Sequence, residues 1–134
     1  MFRLLYVSIS TLPDASAHME IDKIVRGAVD YNARHGITGA LIFADGHFAQ
    51  ALEGEEASVD LLMRAIFRDD RHRSVTVVRR EQIAKRRFEP WSMAYAGVAT
   101  YISRPIESLF QATGAEKAAE VDRLYALMDD LVSS

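Results

Sequence analysis

The 134-residue chain has no cysteine, which excludes disulfides, thiolate metal sites and thiol nucleophiles. No stretch approaches the roughly 18 uninterrupted apolar residues of a membrane span. Basic charge is not in excess either. Sixteen Lys and Arg face 19 Asp and Glu, a formal charge of −3, whereas a protein that mainly binds nucleic acid clusters its cations against phosphate. The four histidines, His18, His35, His47 and His72, show no metal-ligand spacing, so no metal is expected. Arg79-Arg80 and Lys85-Arg86-Arg87 lack a glycine-rich cradle for phosphate, which makes a solvated charge run a better reading than a phosphate hydrolase. Asp69-Asp70 reads as a helix end before it reads as a hard-metal site. One early Arg and a short apolar run ending in Ser and Thr make the N-terminus a strand, not a signal peptide, and the expected location is cytoplasmic.

What is present is an ordinary globular balance, 49% hydrophobic and 26% charged, in a length that suits one domain. Residues 2–8 form an apolar and aromatic run typical of a buried strand. Asp14 and Ser16 are candidate caps for a helix from about Met19 to His35, where Ile21, Ile24, Val25 and Ala28 recur at helical spacing and Gly36 follows. Ile37–Phe43 and His47–Leu52 are two strands joined through Asp45-Gly46, a strong hairpin signal. Val59, Leu62, Met63 and Ile66 mark the buried stripe of a second helix opened by Glu55 and Glu56. Ser74–Val78 is a further strand, and an aromatic segment, Phe88–Tyr95, supplies one more.

This order, βαββαβ with an added strand, predicts an α+β, ferredoxin-like sheet with two helices on one face. Leu4 and Tyr6 alternate with Leu5 and Val7, and Leu41 and Phe43 with Ala40 and Ile42, so both sheet faces need cover. The tail offers a helical pair: Ile106, Leu109 and Phe110, then Val121, Leu124, Tyr125, Met128, Leu131 and Val132. It packs either on the second sheet face or on a partner subunit. The expected division is residues 1–98 for the main domain and 99–134 for this extension.

Three polar residues fall where core should be. Asn32 continues the buried stripe of the first helix. Gln50 shares a strand face with Phe48 and Leu52. Tyr6 shares one with Phe2 and Leu4, and a buried Tyr seeks a partner for its hydroxyl. Each has a structural explanation: Asn32 bonds a neighbouring backbone or caps the helix end, and Tyr6 and Gln50 form a bonded core pair. Together they also suit a flat ligand carrying donors and acceptors, and a flavin ring is one such ligand among several.

The motifs narrow this. Tyr6-x-Ser8, Asn32 with Gly36-Ile37-Thr38-Gly39, Gly46-His47-Phe48-x-Gln50-x-Leu52-Glu53-Gly54, Asp69-x-Arg71-His72, Arg87-Phe88 and Trp91-Ser92-Met93 occur in that order over residues 2–95. Each is weak alone; in sequence they are specific. The chain resembles the BLUF family of blue-light photoreceptors. The resemblance implies non-covalently bound FAD, with FMN as the alternative, in a sensor that is not an enzyme. With no cysteine, a cysteinyl-adduct photosensor is excluded. By resemblance Tyr6 is the redox-active tyrosine, Gln50 the switching glutamine and Asn32 the residue holding the polar edge of the ring. Ile24 and Ile66 are implied as apolar walls, and Asp69, Arg71 and His72 as contacts near its far end and tail, with ordinary surface charges as the alternative for Arg71 and His72. Tyr31 stands where other members carry various polar residues, and is expected beside the ring or at the pocket rim. Ala65 stands where some members carry an Arg. Trp91 and Met93 are expected on the last strand as the signal-bearing pair, with the inward one of the two undetermined. A helical tail after residue 95 suits a short, stand-alone member acting on a partner protein or through self-association, with a homo-oligomer expected. A flavin-free adaptor of the same fold is the rival reading.

Overall fold

Strand alternation and two amphipathic helices dictate a layered arrangement, seen in a computed structural model that describes residues 1–89, 91–97 and 106–133. The elements are β1 (Phe2–Ser10), α1 (Ala17–Arg34), β2 (Thr38–Ala44), β3 (His47–Gly54), α2 (Glu56–Arg68), β4 (His72–Gln82), β5 (Ala94–Gly97) and α3 (Gly114–Ser133). The sheet order is β4-β1-β3-β2-β5. β1 is antiparallel to β3 and β4, β2 is antiparallel to β3, and the added β5 runs parallel to β2. This is the expected ferredoxin-like α+β sheet with its extra strand.

Local chemistry sets the turns. Asp45 (φ 49) and Gly46 (φ 78) are both left-handed, as a two-residue hairpin loop requires if its twist is to match the flanking strands. Gly36, at φ 66, follows α1 and ends it. Ser16 occupies the position before α1 but makes no side-chain cap; its hydroxyl donates instead to the Pro13 carbonyl at 3.4 Å. β4 extends beyond the expected Ser74–Val78, because its long antiparallel pairing with β1 continues to Gln82. Trp91 and Met93 lie ahead of β5, not on it.

The alternation separates two cores. Leu5, Val7, Ala40 and Ile42 share one with Ile106, Leu109, Val121, Leu124, Tyr125 and Met128, so the tail lies over the second face of its own sheet. Leu4, Tyr6, Leu41 and Phe43 share the other with Ile21, Val59 and Met63 of α1 and α2. The expected boundary at 98/99 falls outside the described residues.

Gly39 explains part of the Ile-Thr-Gly motif. A Cβ there would stand 2.2 Å from the Ala51 carbonyl oxygen, a backbone atom held in the sheet. Gly39→Ala is expected to destabilise by at least the ~1–3 kcal/mol typical of overpacking, read as a lower urea midpoint with an unchanged slope.

Candidate functional site

The register of β1 against β3 sets Tyr6 opposite Gln50. Both are buried on the face that α1 and α2 cover, and the Tyr6 hydroxyl donates to Gln50 Oε1. That bond fixes the carboxamide orientation, since only its oxygen can accept. Gln50 Nε2 is left to donate to Met93 Sδ at 3.7 Å, a weak acceptor.

Asn32, on α1, is 1% exposed. Its Nδ2 donates to the Ser92 carbonyl at 2.9 Å, while its Oδ1 is buried with no partner among the described residues. A buried acceptor left unpaired costs about 1–3 kcal/mol, so this oxygen is suited to a ligand donor. The helix-end cap expected for Asn32 is made by its backbone, whose carbonyl accepts from His35 and Ile37 N–H groups.

Between the sheet and the two helices lies a cavity of about 360 Å³, within the range of small-molecule sites. Tyr6 and Gln50 line it from the sheet, Ile24, Tyr31 and Asn32 from α1, Ile66 and Asp69 from α2 and its end, and Arg71 and His72 from the start of β4. Every residue expected to contact a cofactor is therefore brought together. Leu62 and Ile66, expected to be buried, are only half-buried because they face this space. Trp91 and Met93 do not line it: Met93 packs inward behind Gln50 at 5% exposure, and Trp91 is 41% exposed. Sequence reasoning missed Lys23 and Gly27, which also line the cavity. Gly27 left a usable signal, since mid-helix glycine costs about 1 kcal/mol and a Cβ there would meet nothing within 4 Å.

The polar rim is pre-ordered. Arg71 Nε donates to both Asp69 oxygens at 2.9 and 3.1 Å, and this guanidinium holds the Asp69 carboxyl below the ordinary carboxylate range. His72 Nε2 meets the Ile66 carbonyl at 2.7 Å and Nδ1 meets Ser8 Oγ at 2.8 Å. In the neutral ring Nε2 is thus the donor and Nδ1 accepts the Ser8 hydroxyl. Among the described residues no cluster of His, Asp and Glu is arranged to hold a metal, and no helix is long and apolar enough to cross a membrane.

Burial, reinforced by the Asp69 charge, pushes the Tyr6 phenol above its ordinary value of 10.0, and burial raises Tyr125 as well. Both folded-state values exceed the unfolded ones, so their contribution to stability is complete below the unfolded value and is lost as pH rises through the folded one. Urea midpoints are expected to fall once pH passes the ordinary tyrosine value, and less steeply in a Tyr6→Phe, Tyr125→Phe double variant.

The site fits a planar heterocycle with a mixed donor and acceptor edge: apolar walls, an orphaned acceptor on Asn32, and a carboxamide on Gln50 whose two ends differ. The family model for sensors of blue light using FAD (BLUF) matches residues 1–94. The chain is 34% identical over 94 residues to photoactivated adenylate cyclase subunit beta of Euglena gracilis, a match covering 69% of this chain and 11% of that protein. The chain thus spans about a tenth of that cyclase subunit. Among solved structures, the dark state of BlrB, a BLUF protein, aligns with a TM-score of 0.75 at 34% identity, covering 94% of this chain and 96% of that one. The photo-activated state of BlsA aligns with a TM-score of 0.78 at 26% identity, covering 99% and 95%. The matched stretch is a sensor unit and not a catalytic one. By sequence, fold and pocket, the chain belongs to the sensors of blue light using FAD, the BLUF family of flavin-binding photoreceptors.

Proposed function

We propose that this chain senses blue light through Tyr6 and Gln50 and passes the change to a partner protein by way of residues 91–93. The observation that carries the reading is the Tyr6–Gln50 hydrogen bond at the wall of the cavity. When bound, a flavin supplies a blue-absorbing ring that becomes a strong one-electron oxidant on excitation. Tyr6 is the donor: its phenol gives up an electron, and its hydroxyl proton leaves along the bond to Gln50 Oε1. The Gln50 carboxamide, acceptor at one end and donor at the other, then rotates or tautomerises and exchanges its partners. Tyr6 recovers its electron and proton, the inverted amide persists, and darkness reverses it. Asn32, with Ile24 and Ile66 as walls, orients the ring; Tyr31, Asp69, Arg71 and His72 complete the contact set.

Two hydrogen bonds reach the exit segment from this pocket, Gln50 Nε2 to Met93 and Asn32 Nδ2 to the Ser92 carbonyl. Inverting Gln50 removes the donor that faces Met93, just ahead of β5. Trp91 takes part through its backbone, whose carbonyl accepts from Gly39 N–H at 3.1 Å, so its outward ring reports the movement. We assign residues 1–98 to flavin binding and 99–134 to a helical extension, in a cytoplasmic protein that self-associates. FAD is the assigned form. FMN is the alternative; both rim cations face carboxylates, Lys23 to Glu20 at 3.4 Å and Arg71 to Asp69.

The test is the visible spectrum of the purified protein in darkness, after blue light and after renewed darkness, with the released flavin identified by mass. A flavin band that moves to the red and recovers is the expected result. A colourless protein that refuses both FAD and FMN would leave the flavin-free adaptor.

A further inference from the structure

Two phenols, not one, line the cavity: Tyr6 from the sheet and Tyr31 from α1, beside Asn32. We propose that Tyr31 is a second electron donor to light-excited flavin, competing with Tyr6 and generating no signal. The inference rests on the photoreceptor reading above, and its ground is the position and bonding of Tyr31 itself.

The other described aromatic donors are less well placed. Trp91 and Tyr95 do not line the cavity. Tyr125 lies in the core on the far side of the sheet, with the Arg3 and Arg87 guanidinium groups 5.3 and 4.7 Å from its ring centroid. Two cations over one ring oppose the removal of an electron from it. Tyr31 has the opposite surroundings. Its ring is stacked on His35, centroids 4.0 Å apart and planes 17° apart. His35 Nδ1 lies 2.7 Å from the Tyr31 carbonyl oxygen and donates to it, which holds the imidazole against the phenol. A stacked imidazole face, in place of the two guanidinium groups over Tyr125, leaves the phenol an oxidisable donor.

What Tyr31 lacks is the switch. The Gln50 oxygen is taken by Tyr6 and its nitrogen by Met93, and Asn32 Nδ2 is taken by the Ser92 carbonyl. When Tyr31 loses an electron to the excited ring, its hydroxyl proton passes to water reaching this half-exposed residue. The electron then returns from the ring and the proton from water, with no net oxidation. Gln50 keeps its original partners throughout. Each photon spent this way is lost to signalling, so the Tyr31–His35 stack sets the efficiency of the sensor.

The experiment compares flavin-loaded wild type, Tyr6→Phe, Tyr31→Phe and the double variant by time-resolved flavin fluorescence, and by the yield of red-shifted state per absorbed photon. Lifetimes are read on the bound fraction, so partial occupancy does not affect them. Tyr6→Phe is expected to lose the red shift yet keep a short lifetime. Adding Tyr31→Phe should lengthen that lifetime several-fold, and Tyr31→Phe alone should raise the yield of the red-shifted state. Equal lifetimes in Tyr6→Phe and the double variant, in a protein whose wild type red-shifts normally, overturn the role of Tyr31 alone. A wild type that binds no flavin, or never red-shifts, overturns the photoreceptor reading and this inference with it.

Discussion

Replacing Gln50 by Leu is expected to abolish the reversible red shift while leaving flavin in the pocket. Leu suits the strand face that Gln50 shares with Phe48 and Leu52, all three buried, so the sheet accommodates it. Asn32 and the apolar walls remain to hold the ring. What disappears is the only described group that bonds both Tyr6 and Met93. The Tyr6 hydroxyl, buried and now without its acceptor, costs about 1–3 kcal/mol of stability. Tyr6→Phe removes the same bond from the other end, and the double variant should lose less stability than the two single losses combined, as expected for groups that act as a pair. The checks are difference spectra under blue light and urea midpoints for the four proteins. A Leu variant that still shifts to the red and recovers would take the switch away from Gln50.

The polar trio at the centre of this prediction was legible because two periodicities expose it. A stripe of Ile21, Val25 and Ala28 leads to Asn32, and alternation from Phe48 to Leu52 turns Gln50 inward. The separation of the sheet faces was legible for the same reason, and so was the need for a second cover, which α3 provides. Placement on the last strand failed where periodicity ends, and orientation could not be read there. Trp91 and Met93 precede β5, and the backbone there follows individual bonds, Trp91 N–H to the Phe88 carbonyl and Gly39 N–H to the Trp91 carbonyl, which no spacing rule encodes. Likewise Leu62 and Ile66 fit a buried stripe on paper but border the cavity, because a helical pattern marks an apolar face without saying whether protein or ligand fills it. Glu53 is the instructive omission. It alternates with Ala49 and Ala51, so the pattern already placed a carboxylate on a buried face; its partners, distant in sequence, were not readable.

Those partners make Glu53 the residue whose loss should cost most stability. Its side chain is fully buried, and it accepts hydrogen bonds from Arg3 Nε at 3.1 Å, Thr38 Oγ1 at 3.0 Å, and the backbone N–H groups of Arg87 and Phe88 at 2.7 and 3.0 Å. Four donors converging on one carboxylate offset its desolvation and pin the segment before Trp91 to β3. Arg86 ties the same segment down again, donating to Thr38 Oγ1 at 2.9 Å and to the Gly36 carbonyl at 2.7 Å. Glu53→Ala strands the two backbone donors and leaves Arg3 with Glu81, 3.4 Å away. Removing one partner of a buried pair costs about 3–5 kcal/mol, a large part of the ~5–15 kcal/mol that holds a domain together. The melting midpoint should fall by roughly 10 °C or more. Glu53→Gln keeps the shape but turns an amide N–H₂ toward donors, so it should be intermediate. Since the pinned segment continues directly to Ser92 and Met93, the milder variant should also change the dark recovery rate. An Ala variant melting within a few degrees of wild type would mean that the Arg86 contacts suffice to hold the segment without Glu53.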